Sequence, residues 1–402
     1  MAAAKGDVII MRLTTALLAA TAALGLSPAA FAADQIKVGL VTTYSGTEAA
    51  YGDMETNGFK LGLAHLGGKL GGLPVTIVTG DDENKTDTAI QQATKMVDRD
   101  HVDFITGPAL TTTVLGVEKV TREAKIPYLS GGPGPSQFAG RGCEPWFFGV
   151  GWQNDAVSEV MGQYMTDQKI PDVYLIAPQI AAGRDMLAGF KRFYKGKVDE
   201  EKYTQMTQLD FAAEIADIAA AKPAGVFFFF PSGVAANFIQ QWNQAGMKNK
   251  IPLYTMNALD QANLPALGEM AIGIPVGVHW AETIDTPQNK KFVADYLATY
   301  KKLPSSQAAS AYMVAMLVDA AVKSINGKIE DKVAFRNAIR DAKITSLTGE
   351  PFKFGPNNMP VENYYVATIE KNAAGADTLA NAKVVLADHS DNYVGACKMP
   401  AN

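Results

Sequence analysis

Residues 102–134 read VDFITGPALTTTVLGVEKVTREAKIPYLSGGPG. The run 102–106 is short and apolar, with Val102, Phe104 and Ile105, which predicts a buried strand. Gly107-Pro108 ends it. A helix is expected next, capped by Thr111, Thr112 or Thr113, since a hydroxyl there accepts from free N–H groups of the first turn. Residues 126–129 form the following strand, and Ser130-Gly131-Gly132-Pro133-Gly134 leaves it as a donor-rich loop. Two consecutive parallel strands set two loops side by side at their carboxyl ends, where open α/β sheets bind ligands. The first loop offers bare amides and a positive helix end, which suit a carboxylate. Ordinary strand–helix turns are the alternative reading.

The same alternation extends in both directions. Strands are expected at 36–41 and 75–79, with helices at about 51–65 and after Asp81-Asp82-Glu83, where Ala89, Ile90, Ala93, Met96 and Val97 share a face. That acidic run lacks the spacing of a helix–loop–helix calcium site and reads as a solvated turn. Residues 146–150 are an aromatic strand and a first crossing into a second lobe. Strands follow at 173–177, 225–230, 253–256 and 276–280, with helices at 183–194, 211–221 and 234–244. The last strand is read as the return crossing. Helices at 288–301, 307–325 and 333–342 precede a strand pair at 363–370 and 382–387. The expectation is an α/β fold of two doubly wound lobes joined by a hinge: residues 33–150 and 281–358 in one, 151–280 and 359–402 in the other. A cleft between such lobes suits a small ligand.

Composition bounds the partner. The chain has 402 residues, 48% hydrophobic and 19% charged, which fits a soluble protein with two domains. Its formal charge of −5, without a basic cluster, argues against nucleic acid. Met11-Arg12, the apolar run 16–26, Pro28 and Ala30-Phe31-Ala32 form an export signal over residues 1–32, cut after Ala32. Residues 1–10 look unlike its charged start and read as a start-site extension. Removal of 1–32 takes Lys5, Arg12 and Asp7, leaving 34 basic against 40 acidic residues, a charge of −6. Export favours a single disulfide between Cys143 and Cys397 over two buried thiols.

Signatures of chemistry are missing. There is no phosphate loop, nucleophile elbow or dinucleotide fingerprint. No metal or cofactor is expected, since none of His65, His101, His279 and His389 sits at metal spacing from another His or Cys. His65 and His101 read as structural. His279, beside Trp280 at a lobe crossing, reads either as a packed histidine or as a cleft contact. In Phe227-Phe228-Phe229-Phe230-Pro231-Ser232-Gly233, core packing accounts for most of the run, and the last rings could form an aromatic wall. The nucleophiles lack recognisable base partners, so the chain is expected to bind rather than to catalyse. A secreted enzyme and an extracellular sensor module are the competing classes.

Several ordered pieces resemble the type I periplasmic solute-binding proteins of the branched-chain amino-acid family, which serve ATP-binding-cassette (ABC) importers. They are Val38-Gly39-Leu40 with Tyr44-Ser45-Gly46, Tyr51-Gly52-Asp53-Met54-Glu55 with Asn57-Gly58, Asp81-Asp82, Ile105-Thr106-Gly107 with the threonine triplet, and Ile126-Pro127 before Ser130-Gly131. The resemblance implies a monomer in the periplasm that hands a small molecule to a membrane permease. It places the ligand carboxylate on Thr111, Thr112, Ser130 and Gly132, under the ring of Tyr51. Amino-acid binders of the family hold the ammonium with an acidic side chain. Matching back from Gly268-Glu269 puts Met256 at that place, with Asn257 next. An unpaired buried ammonium is costly, so the expected ligand lacks one, although Asp260 lies nearby in sequence. Ala181-Ala182-Gly183-Arg184-Asp185-Met186, the cysteine pair and Asn363-Tyr364-Tyr365 resemble a subgroup that binds benzoate and hydroxycinnamate types. The ligand is therefore expected to be an aromatic carboxylate, with a branched-chain amino acid as the rival. The full contact set adds Ala182, Phe230, Ser232, His279 and Tyr312.

Overall fold

A computed structural model describes residues 34–400; the expected export signal lies outside them. In chain order the first half contains β1 (Ile36–Thr42), α1 (Ala49–His65), β2 (Lys69–Leu70), β3 (Leu73–Asp81), α2 (Thr86–Lys95), β4 (Phe104–Thr106), α3 (Thr111–Ala124), β5 (Tyr128–Ser130), β6 (Pro133–Gly134), α4 (Ser136–Ala139), β7 (Phe147–Gly149), β8 (Trp152–Gln153) and α5 (Asn154–Asp167). Then come β9 (Asp172–Pro178), α6 (Ala181–Phe193), β10 (Lys197–Thr204), α7 (Ala212–Ala221), β11 (Val226–Phe228), α8 (Ser232–Gln244), β12 (Leu253–Met256), α9 (Leu264–Leu267) and β13 (Pro275–Val278). The last part is α10 (Pro287–Tyr300), α11 (Ser306–Ser324), α12 (Lys332–Asp341), β14 (Glu362–Lys371) and β15 (Asp377–His389).

Two sheets result. The first runs β2-β3-β1-β4-β5-β7 and is parallel except for the β2/β3 edge. The second runs β10-β9-β11-β12-β13-β14-β15, with β14 and β15 antiparallel to their neighbours. Strand β1 shows why the order is parallel: nearly every residue of IKVGLVT is buried, as expected of a strand covered on both faces. Helices α10, α11 and α12 pack on the first sheet's core through Phe292, Tyr296, Val314, Leu317, Phe335 and Ile339. The second sheet has its own cores, one around Phe228, Phe238 and Trp242, the other around Leu175, Phe190 and Phe227. The chain thus passes between sheets after β7, after β13 and before β14. Cys143 and Cys397 are disulfide-bonded, closing a 254-residue separation.

Several elements differ from the sequence reading. Residues 154–167 carry no expected element yet form α5, because its inward face includes Asn154, Asp155, Ser158 and Glu159 beside Val157 and Met161, which blurs the apolar period. Strand β10 is an edge strand written KVDEEKYT, too polar to register as one. The threonine cap is not formed. Leu110 occupies the cap position of α3, Thr111 is already helical, and the Thr113 hydroxyl donates to the Leu110 carbonyl (2.9 Å). The acidic turn is not solvated throughout: Asp82 is buried and accepts from the Thr43 hydroxyl (2.6 Å) and the Asn84 amide (2.8 Å). Asp81 accepts from the amides of Tyr44 and Glu83, both at 2.9 Å. These bonds staple the loop after β1 to the loop after β3.

Candidate functional site

A cavity of about 500 Å³, counting its open mouth, lies where the carboxyl ends of strands from both sheets meet. From the first sheet's side it is lined by Tyr51, by Ala109, Leu110, Thr111 and Thr112, by Pro133 and by Gln307. From the second come Trp152, Ile180, Ala182, Met186, Met206, Phe229, Pro231, Met256 and Asn257. Among the described residues, none of these sixteen carries a formal charge. Its polar end is the start of α3. The amides of Thr111 and Thr112 open that helix and have no intrahelical acceptor, so they and the helix dipole favour an anion there. The opposite wall is thioether and aromatic.

Bonds between the two halves fix this arrangement. The Ser232 amide donates to the Tyr51 hydroxyl (3.2 Å), and the Gly233 amide to Glu48 Oε1 (3.2 Å), so the start of α8 is met by a phenol and a carboxylate. Asn154 Nδ2 donates to Thr111 Oγ1 and to Asp185 Oδ2, both at 3.1 Å. Burial pushes the Tyr51 hydroxyl well above its ordinary value, so it stays a neutral phenol. Asp260 is spent elsewhere: it accepts from the amide (3.2 Å) and hydroxyl (2.9 Å) of Ser306 and from the amide of Ala262 (2.9 Å). It does not line the cavity.

Of the twelve contact residues expected from sequence, the structure brings Tyr51, Thr111, Thr112, Ala182, Met256 and Asn257 together on this lining. The other six lie off it. Ser130 is buried with its hydroxyl donating to the Pro133 carbonyl (2.9 Å), and Gly132 sits beneath Pro108. Ser232 contributes its amide to Tyr51. Phe230 is in the core with Phe211, Phe228 and Phe238. Tyr312 bonds His65 Nδ1 (3.0 Å), and His279 bonds Ser310 (3.1 Å) behind Asn257. Strand parity explains the phenylalanines. Phe228 and Phe230 share the face covered by α8, so Phe229 turns the other way, to the cavity. Trp152, Met206 and Gln307 carried no sequence signal, since single apolar or amide residues near chain crossings are indistinguishable from core; Met186 lies in the stretch that resembles the aromatic-acid subgroup.

Beneath the loop after β5 lies Glu55. Its carboxylate accepts from the Thr42 hydroxyl (2.5 Å), yet burial pushes it up to about 8 from 4.5. The folded protein therefore holds a proton that the unfolded chain releases near 4.5. Stability from this group is complete below about 4.5 and falls as pH rises through about 8. Burial likewise lifts Glu144 and Glu282 to about 7, so the wild type weakens broadly over this window. Glu55→Gln is expected to flatten part of the fall, gaining roughly 3 kcal/mol at pH 8.5 relative to pH 5. Urea unfolding at the two pH values checks it; parallel slopes for variant and wild type would count against a protonated Glu55.

Comparison with known proteins gives a consistent picture. The family model described as periplasmic binding protein matches residues 35–376. Leu/Ile/Val-binding protein homolog 6 of Brucella melitensis is 27% identical over 286 residues, covering 69% of this chain and 73% of its own. An ABC transporter solute-binding protein from R. palustris, solved in complex with benzoate, is 28% identical with a TM-score of 0.84; the match covers 90% of this chain and 99% of that one. A second such protein, from Rhodopseudomonas palustris in complex with 3,4-dihydroxy benzoic acid, is 25% identical with the same TM-score of 0.84 and the same coverage, 90% and 99%.

Proposed function

The chain belongs to the periplasmic binding protein family, and on that premise we propose that it is the periplasmic solute-binding component of an ABC importer, taking up a small aromatic carboxylate and catalysing no reaction. One observation carries the choice of ligand: the cavity offers an anion site at the start of α3 and no charged side chain among its described lining residues. An α-amino acid would leave its ammonium without a counter-charge in an enclosed site, at a cost of several kcal/mol. Neighbours of similar fold hold benzoate and 3,4-dihydroxy benzoic acid. The Leu/Ile/Val-binding relative supports the rival, a branched-chain amino acid.

In this reading residues 33–150 and 281–358 form one lobe and 151–280 and 359–402 the other. The three chain passages between sheets act as the hinge. The carboxylate sits on the amides of Thr111 and Thr112, the ring lies between Tyr51, Phe229 and Met256, and the lobes close over it before the loaded protein docks on its permease. No described helix is long and apolar enough to cross a membrane, so the permease is a separate chain in this scheme. Trp152 lines the cavity and serves as reporter. Trp280 does not line it; its indole donates to Asn289 Oδ1 (2.7 Å). Fluorescence titration is expected to show saturable binding of benzoate-type acids and none of leucine. Saturation by leucine alone refutes the proposal, and conversion of the bound acid refutes its non-catalytic part.

A further inference from the structure

Two residues of the cavity wall each keep a buried polar atom that this reading leaves without a partner. Asn257 lines the cavity and is buried, and its Oδ1 has no hydrogen-bond partner among the described residues. Trp152 also lines it and is buried, and its indole Nε1–H likewise has none. Native interiors seldom leave such atoms unmatched, and each one costs about as much as a lost hydrogen bond. One is an acceptor and the other a donor. Both residues touch the same imidazole: the Trp152 ring lies 5.1 Å from that of His279, and Asn257 Nδ2 lies 3.4 Å from His279 Nδ1.

His279 orders the pair. Burial pushes its imidazole down to about 3, which favours the neutral ring. With Nδ1 accepting from the Asn257 amide, Nε2 carries the proton and donates to Ser310 Oγ (3.1 Å). This relay uses one N–H of Asn257 and leaves its oxygen for another donor. The backbone of Asn257 is fixed as well. It lies in the left-handed region (φ 40°), tolerated by asparagine, with its amide bonded to the Gly277 carbonyl (3.0 Å).

A phenolic hydroxyl is one small group with the matching chemistry for an acceptor and a donor, because it donates one bond and accepts another. We propose that the bound acid carries a ring hydroxyl that donates to Asn257 Oδ1 and accepts from Trp152 Nε1, with His279 as the positioning residue that turns Asn257. Asn257 thereby becomes the residue that separates hydroxylated from plain aromatic acids. The inference rests on the aromatic-carboxylate reading and narrows it.

Calorimetric titration with benzoate, 3-hydroxybenzoate and 4-hydroxybenzoate tests it. Wild type is expected to bind one of the hydroxy acids about 10- to 100-fold more tightly than benzoate. Asn257→Gly, which keeps the left-handed backbone, is expected to reduce that ratio to within about threefold. His279→Phe is expected to reduce it as well, and His279→Gln, whose carbonyl can replace Nδ1 as acceptor, to restore part of it. The ratio is the readout, because a merely structural loss would weaken all three acids together. Equal binding of the three acids by wild type overturns the inference and leaves the parent reading standing, as does a ratio that survives Asn257→Gly. Binding of none of them overturns both. If Asn257→Gly does not fold, the wild-type ratio and the two His279 variants decide.

Discussion

Met256→Glu is expected to reduce affinity for benzoate-type acids at pH 8 by at least about 100-fold. Met256 ends β12, is fully buried, and forms part of the thioether and aromatic wall with Met186 and Phe229. A carboxylate there would find no cation among the described lining residues, and it would share an enclosed space with the ligand's own carboxylate. Two like charges 6 Å apart at an effective dielectric of 20 repel by roughly 3 kcal/mol, which alone accounts for the loss. The same apolar wall would raise the new carboxyl's pKa, so the loss should shrink as pH falls toward 5.5 and the group takes up a proton. Met256→Gln, of similar size but uncharged, should lose much less. Calorimetry on both variants at the two pH values checks this. Wild-type affinity for benzoate in Met256→Glu at pH 8 would remove the acid from this cavity. A gain of leucine binding in that variant would instead mark the position as the place where an ammonium is met.

Much of the fold is written locally. In the first sheet β1, β4 and β5 are apolar runs, the last two followed at once by glycine, and α3 keeps an apolar face, so these elements are legible from spacing. Legibility fails where the buried face is polar or where burial stops. Helix α5 has polar residues on its inward face because they bond to other elements, as Asn154 does to Thr111 and Asp185, and this removes the contrast that periodicity needs. Strand β10 is a polar edge. The cavity follows the same rule. Thr111 and Thr112 can be anticipated, because a turn between strand and helix has a known direction. Trp152, Met206 and Gln307 cannot, because they reach the lining from three separate segments whose meeting is a tertiary fact. Of the last two rings, Phe229 reaches the lining and Phe230 does not: alternation fixes which rings share a face, but only the placement of α8 says which face is core.

The glycine that delivers Thr111 to the cavity carries the largest expected effect on stability. Gly107 ends β4 with φ 80°, and a Cβ built there would lie 1.8 Å from the Val41 carbonyl oxygen of β1. Two penalties therefore act together on Gly107→Ala. The left-handed backbone costs an alanine about 1–2 kcal/mol. The contact is with backbone in the centre of a sheet, so relief requires β1 and β4 to separate. Gly246 isolates the first penalty: it ends α8 with φ 66° and has no atom within 4 Å of the added carbon. Gly246→Ala is expected to lose about 1 kcal/mol, and Gly107→Ala at least about 4 kcal/mol, measured by urea unfolding at one pH. The difference between the two variants measures the closeness of β1 and β4. Because Pro108, Ala109 and Leu110 connect this point to the start of α3, whatever folds of Gly107→Ala should also bind aromatic acids more weakly, while Gly246→Ala binds as the wild type does. Equal destabilisation by the two substitutions would mean that the sheet yields freely at Gly107, and that the start of α3 is not held in place from β1.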